Sequence, residues 1–315
     1  MTQAEATRTT WVVQVPVATV WTSQESPRTI DLPGVSNPTR IKEWLNGLTY
    51  ETRLALSDKN LVQSQLLYGE EVIVDDVEGK WAKVVIPTQP SKKDERGYPG
   101  YLPVDHVKEV PEHEWIGQGV AVVSKNTTIL IDEKEDPMFE LSYLTSLPAL
   151  AHEEKFIKVR TPHGIGYIPE QDVSVYPSKE DIPKGDGAAI IKAGETFVDL
   201  PYFWGGMSSY GYDCSGFVYN MHKANGYQIP RDATDQAVSG KKIELNQVEP
   251  GDLLFFAYDN GSGTIHHVGI YYGDGKMIHS PKTGKTVEII TLKGTIYERE
   301  LCSARRYWKE AEDRR

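Results

Sequence analysis

The chain of 315 residues carries 34 Lys and Arg against 45 Asp and Glu, a net charge of −11. That length implies two or three domains, and an acidic balance without any basic run argues against nucleic acid, anionic lipid or teichoic acid as partners. With 39% hydrophobic residues and 17 Tyr, 7 Trp and 7 Phe, the chain has material for packed cores and is not that of a disordered protein. The opening stretch MTQAEATRTTWVVQV has neither a basic n-region nor a long apolar h-region, and no apolar run approaches 18 residues. A cytoplasmic protein with no membrane contact is therefore expected, or an extracellular one if a leader has been removed. Cys214 and Cys302 are too far apart and too few for a disulfide framework, and no CxxC spacing points to zinc.

The first 180 or so residues read as β-rich. Short alternating runs broken by Gly and Pro predict strands at 11–20, 71–75, 81–86, 120–123, 128–131 and 156–160. WAKVVIP (81–87) followed by GYLPVDHV (100–107) is echoed by FIKVRTP (156–162) followed by GYIPEQDV (166–173). Two such copies, each of about 60 residues, predict two small barrels and not a solenoid, which needs three or more units. Within the first copy, IKEWLNGL and ETRLALSDKNLVQSQLL have helical apolar spacing, so residues 24–66 read as a partly helical insertion.

Residues 174–187, polar and with two prolines, read as a linker. Beyond it AAIIKAGETFV predicts a helix. So does 214–224, with Phe217, Val218, Met221 and Ala224 on one face and Gly226 as its stop. Strands follow at 253–258, 267–272, 276–279, 286–290 and 302–308, with an Asp274-Gly275 turn between the second and third. Helices followed by an antiparallel meander predict an α+β domain.

The chemistry gathers around Cys214. In YDCSGFV, Asp213 is a preferred N-cap, which puts Cys214 in the first helical turn, where N–H groups and the helix dipole favour a thiolate over a free thiol of pKa about 8.5. A buried structural cysteine is the competing reading. In TIHHVGIYYGDGKMIHS the alternation of a strand places His267, Gly269 and Tyr271 on one face and His266, Val268, Ile270 and Tyr272 on the other. Val268 and Ile270 read as core, which displays His267 on a partly solvated face beside a small Gly269. His279, one hairpin away, can bond the second ring nitrogen of His267. The set is nucleophile, base and orienter. Zinc held by Cys214, His267, His279 and Asp213 is the alternative use of the same residues, without the tight ligand pair such sites show. Cys302, in a strand-like segment, reads as a buried non-catalytic thiol.

The succession DCSGFVYNMHKANGYQIPRDATDQA, EPGDLLFF, HHVGIYYGDGKMIHS and ARRY resembles the NlpC/p60 group of papain-like cysteine peptidases over roughly residues 185–309. The two N-terminal repeats resemble bacterial SH3-like domains, and the whole is similar to YkfC-type γ-D-glutamyl-L-diamino acid endopeptidases of muropeptide recycling. The resemblance implies an α+β multidomain chain. A first SH3-like domain (8–110, with the insertion) and a second (111–178) precede a papain-like catalytic domain (185–309). It implies Cys214, His267 and His279 as catalytic residues and Tyr202 of PYFWGG as an aromatic supporting the oxyanion site. It also implies that Asp232 of RDATDQ meets the free α-ammonium of an N-terminal L-Ala, that Ser215 contacts the D-Glu carboxylate, and that the first SH3-like domain lends Tyr98 and Glu70. Asp232 as a plain helix cap, and Ser215 as a plain helix-start serine, are the alternatives. The implied partner is a small cell-wall peptide, with no cofactor and no metal. A hydrolase of intact wall, an acyl-transferring enzyme with the same Cys–His pair, and a catalytically silent binding module remain open from the sequence.

Overall fold

The computed structural model describes residues 8–308, so position 309 of the expected peptidase domain lies outside the described residues. The chain divides into two compact units. One comprises residues 8–47, 65–87 and 99–179; the other comprises 48–64, 88–98 and 180–308.

Two seven-stranded antiparallel sheets lie mostly within the first unit. The first sheet is built from β1 (Thr9–Val13), β2 (Val17–Trp21), β3 (Val62–Leu67), β4 (Glu71–Glu78), β5 (Trp81–Ile86), β6 (Tyr98–Pro103) and β7 (Val107–Pro111), in the order β3-β2-β6-β5-β4-β1-β7. The second is built from β8 (Gly119–Val123), β9 (Thr127–Ile131), β10 (Pro137–Ser142), β11 (Ser146–Glu153), β12 (Phe156–Thr161), β13 (Gly164–Pro169) and β14 (Val173–Tyr176), in the order β10-β9-β13-β12-β11-β8-β14. Adding seven to each strand number of the first order produces the second. The motif repeat is thus a repeat of topology, and in both copies a 3-10 turn (Val104–His106, Glu170–Asp172) joins the last two strands.

The sheets differ from the expected closed barrels. Each has two free ends, β3 and β7 or β10 and β14. Proline sits in these edges, at Pro111 closing β7 and Pro137 opening β10, where the missing N–H removes a donor that closure would use. The predicted strand 11–20 is in fact two, β1 and β2, divided at Gln14–Pro16 for the same reason. The insertion supplies α1 (Ile41–Gly47), whose buried Trp44 packs on Trp21 at 5.7 Å between ring centroids and donates its Nε1–H to Asp31 at 2.9 Å. Tyr68 joins the core of the second sheet with Val123, Leu130, Leu147 and Val159.

The second unit carries the α+β domain together with α2 (Tyr50–Asp58). Helix α3 (Gly187–Glu195) starts at Asp186, whose side chain accepts from Ala189 N–H. It ends sooner than the predicted run, before Asp199 with φ +71°. A two-stranded ribbon, β15 (Met207–Ser208) and β16 (Gly211–Tyr212), leads into α4 (Cys214–Lys223), which stops before Gly226 at φ +71°. The short α5 (Ala233–Gln236) follows. The six-stranded sheet consists of β17 (Lys241–Ile243), β18 (Leu253–Ala257), β19 (Ile265–Gly273), β20 (Lys276–His279), β21 (Glu288–Thr291) and β22 (Leu301–Arg306), in the order β17-β22-β18-β19-β20-β21. Asp274 and Gly275, at φ 51° and 69°, make the primed hairpin turn that the sequence predicts. Val268 and Ile270 are fully buried and α4 packs on β19; Leu254, Phe256, Met277 and Tyr271 form a second apolar layer. Among the described residues no helix is long and apolar enough to cross a membrane.

Candidate active site

Cys214 is the first residue of α4. Asp213 holds the N-cap with an extended backbone (φ −83°, ψ −179°) and accepts from Gly216 N–H at 2.6 Å. Its other oxygen accepts from Gly205 N–H at 2.9 Å and from Arg231 Nη2 at 2.7 Å. The Arg231 side chain is 1% exposed. Its Nε donates to Ser64 Oγ at 2.9 Å and its Nη1 to Ser215 Oγ at 2.8 Å. Ser215 donates its single hydrogen to Asp213 at 3.3 Å, so its hydroxyl belongs to this network and has no second hydrogen to offer a substrate carboxylate. With both carboxylate oxygens of Asp213 engaged, the fourth ligand of the alternative zinc site is also taken.

The thiol lies among Tyr202, Asp213, Arg231 and the N–H groups of Ser215 and Val268. The helix start alone favours a thiolate, but burial and the Asp213 charge outweigh the N–H groups and Arg231 and push the Cys214 pKa up to about 12. Tyr202 is buried too. Burial first, then the Cys214 and Asp213 charges, hold its phenol well above the ordinary tyrosine range.

His267 and His279 meet as expected, with His267 Nε2 2.7 Å from His279 Nδ1. The strand register explains it. Ile270 pairs with Ile278, so His279 lies opposite Gly269 and diagonal to His267 on one face. A Cβ on Gly269 would stand 3.1 Å from His279 Cβ and 2.9 Å from Met277 Sδ, so glycine leaves the room in which the rings converge. The expected partial solvation of that face is corrected. His267 is only 3% exposed and His279 0%. Phe256, paired directly opposite His267, and Tyr297, with centroids 5.7 and 5.2 Å from its ring, cover it. Burial, with the two neighbouring imidazoles, holds the His267 pKa well below 6.5, and burial takes that of His279 down to about 3.

Asp232 occupies the N-cap position of α5 but makes no cap bond. Its carboxylate turns to Tyr98, whose hydroxyl donates to it at 3.1 and 3.2 Å, and to Lys93, whose ammonium stands 3.2 Å away. Lys93 also donates to the Tyr98 hydroxyl and to Gln63 Oε1. Asp232 thus already meets an ammonium, supplied by the chain itself. Tyr98 is therefore joined to Asp232, whereas Glu70 lies in the turn after β3, in the first unit, where it accepts from Leu67 N–H at 2.8 Å. Cys302 donates to Phe255 O and is half-buried, not fully buried as expected.

Sequence reasoning missed Arg231 and Lys93. Arg231 stands one residue before Asp232 in a quoted motif, but a buried guanidinium is identified only by its tertiary partners, Asp213 being 18 residues away in sequence.

The NlpC/P60 family profile matches residues 199–306, and the profile described as YKFC SH3b2 domain matches 123–176. The chain is 46% identical to the γ-D-glutamyl-L-lysine dipeptidyl-peptidase of Bacillus subtilis (strain 168), over 93% of its own length and 97% of that protein. It is 38% identical to the enzyme of the same name from Bacillus cereus, over 94% and 90%. A crystal structure of an NlpC/P60 family protein from Bacillus cereus superposes with a TM-score of 0.91 at 37% identity, covering 96% of this chain and all of that one. With a capped cysteine, a bonded histidine pair and likeness over nearly the whole length, the chain belongs to the NlpC/P60 family of cysteine peptidases.

Proposed function

We propose that this chain is a γ-D-glutamyl-L-diamino acid endopeptidase. It cleaves cell-wall peptides with a free N-terminal L-Ala and releases L-Ala-D-Glu. The observation that carries the reading is the His267–His279 hydrogen bond on a strand whose Val268 N–H faces the thiol of the capped Cys214. The two Bacillus dipeptidyl-peptidases, matched over nearly their full lengths, support the substrate class.

Burial raises the thiol pKa and lowers that of the imidazole. The thiol proton passes to His267, and the sulfur attacks the γ-carbonyl of D-Glu. The C–S bond forms, the C–N bond breaks, and His267 returns the proton to the leaving amine of the diamino acid. Water, deprotonated by His267, then cleaves the thioester and restores the thiol. The Cys214 backbone N–H and Tyr202 stabilise the tetrahedral oxyanion. Asp232, with Tyr98, receives the substrate α-ammonium in place of Lys93. We read three modules, 8–110, 111–178 and 185–309; the seven-strand offset between the two sheets supports the first boundary. A cytoplasmic site, where released peptides are recycled, fits this substrate.

The test is cleavage of L-Ala-γ-D-Glu-L-Lys and its diaminopimelate counterpart, free and N-acylated, followed by mass spectrometry with Cys214→Ala as blank. The expected result is release of L-Ala-D-Glu from the free peptides alone and none with the variant. Equal cleavage of the acylated peptides would replace this reading with one of a hydrolase of intact wall. Because the base works only when neutral and burial lowers its pKa, the acid limb of kcat/KM should fall below pH 6.5.

A further inference from the structure

His279 bonds His267 through Nδ1, which leaves its Nε2 to be accounted for. That atom is buried without a hydrogen-bond partner. Glu288 stands directly across the strand pair from His279, and its Oε1 is 3.5 Å from the same Nε2. The aromatic neighbours of the His279 ring are His267 at 4.9 Å and Tyr297, edge-on at 5.1 Å. Glu288 is thus the carboxylate toward which the orphan nitrogen points.

The two tautomers of His279 are not equivalent beside it. A hydrogen on Nε2 points its positive end at the carboxylate. A bare Nε2 lone pair, itself buried, sets one negative end against another at 3.5 Å, although the Glu288 side chain is 39% exposed. The choice at His279 propagates, because only one hydrogen fits between its Nδ1 and His267 Nε2, 2.7 Å apart.

We propose that Glu288 is a positioning residue that fixes the proton order of the whole relay. By keeping the hydrogen on His279 Nε2, it makes His279 Nδ1 an acceptor. His267 then carries its hydrogen on Nε2, and its Nδ1 keeps the lone pair that takes the thiol proton. The inference rests on the reading of Cys214 and His267 as nucleophile and base, and it names the nitrogen that takes the proton. Without Glu288 the relay can reverse, which places a hydrogen on His267 Nδ1 and leaves nothing to accept the thiol proton.

The test joins two readouts on the full chain. The 15N spectra of histidine-labelled protein at neutral pH should show His267 and His279 both as Nε2–H tautomers. In Glu288→Ala a second population with the hydrogen on His279 Nδ1 should appear. For the free tripeptide, Glu288→Ala should lower kcat about 10-fold with KM unchanged, the lower end of the loss seen when a carboxylate behind a metal-bound histidine is removed. Glu288→Gln, which keeps an acceptor oxygen, should return kcat to within about threefold of the wild type. Wild-type His279 protonated on Nδ1, or a Glu288→Ala variant with full kcat, overturns the proposal. Should the tripeptide prove not to be a substrate, the tautomer spectra still decide the role of Glu288, so failure of one reading is distinguishable from failure of the other.

Discussion

Two aspartates of the second unit occupy the same kind of position and do opposite things. Asp213 and Asp232 both hold helix N-caps with extended backbones, at φ −83° and −90°. Asp213 caps its helix, binds a second N–H and pairs with Arg231, and its side chain is 8% exposed. Asp232 leaves its cap empty, reaches Tyr98 and Lys93, and is 28% exposed. A carboxylate with every lone pair committed inside the fold is scaffold. One that declines the local bond a cap offers, and is held by an exchangeable ammonium, is available for recognition.

The comparison breaks most visibly at Arg231. Arg231→Met leaves Asp213 as a buried charge without its counter-ion, and about 3–5 kcal/mol of stability should be lost in urea unfolding. Adding Asp213→Asn, which keeps a capping oxygen and removes the charge, should recover much of it. If the double variant is no more stable than the single one, the ion pair is not what holds the helix start.

Asp232→Asn should behave otherwise. Its ion pair is partly exposed, so stability should move by no more than about 0.5 kcal/mol. Cleavage of the free peptide should instead lose roughly 1–3 kcal/mol in kcat/KM, on the order of 5- to 150-fold, because the α-ammonium loses its charged acceptor. N-acylated peptide should be affected little, so discrimination narrows. A variant that keeps full discrimination would return Asp232 to the ranks of structural residues.

What could be read from the sequence follows the same division between local and tertiary bonding. Asp213 as a cap, the position of Cys214, the Asp274-Gly275 turn and the His267–His279 diagonal all depend on neighbours within a helix turn or a hairpin, and each is legible from spacing. The repeat WAKVVIP…GYLPVDHV also held, as strands β5–β6 and β12–β13. Closure of the sheets did not, because pairing of end strands is set by edges far apart in sequence. Likewise the solvation of His267 depends on Phe256 and Tyr297, and the direction of the Asp232 side chain on a loop more than a hundred residues upstream. The surroundings of the Cys214 thiol divide in the same way. The helix dipole is local and visible in sequence, whereas the burial that outweighs it is not.

Asp186 supplies the reference point between the two extremes. It caps α3 through one bond to Ala189 N–H at 2.9 Å and is exposed to solvent. The adjoining Gly187 is fixed by packing, since a Cβ there would stand 1.8 Å from Pro250 O. The helix start is therefore held twice, once by the cap and once by close contact. Asp186→Ala removes only the first, and about 0.5–1 kcal/mol should be lost, with Asp186→Ser nearly neutral and kcat/KM unchanged in both. A loss as large as that of Arg231→Met would mean that an exposed cap can carry as much as a buried, paired one. Burial and charge pairing would then not be what separates Asp213 from an ordinary helix start.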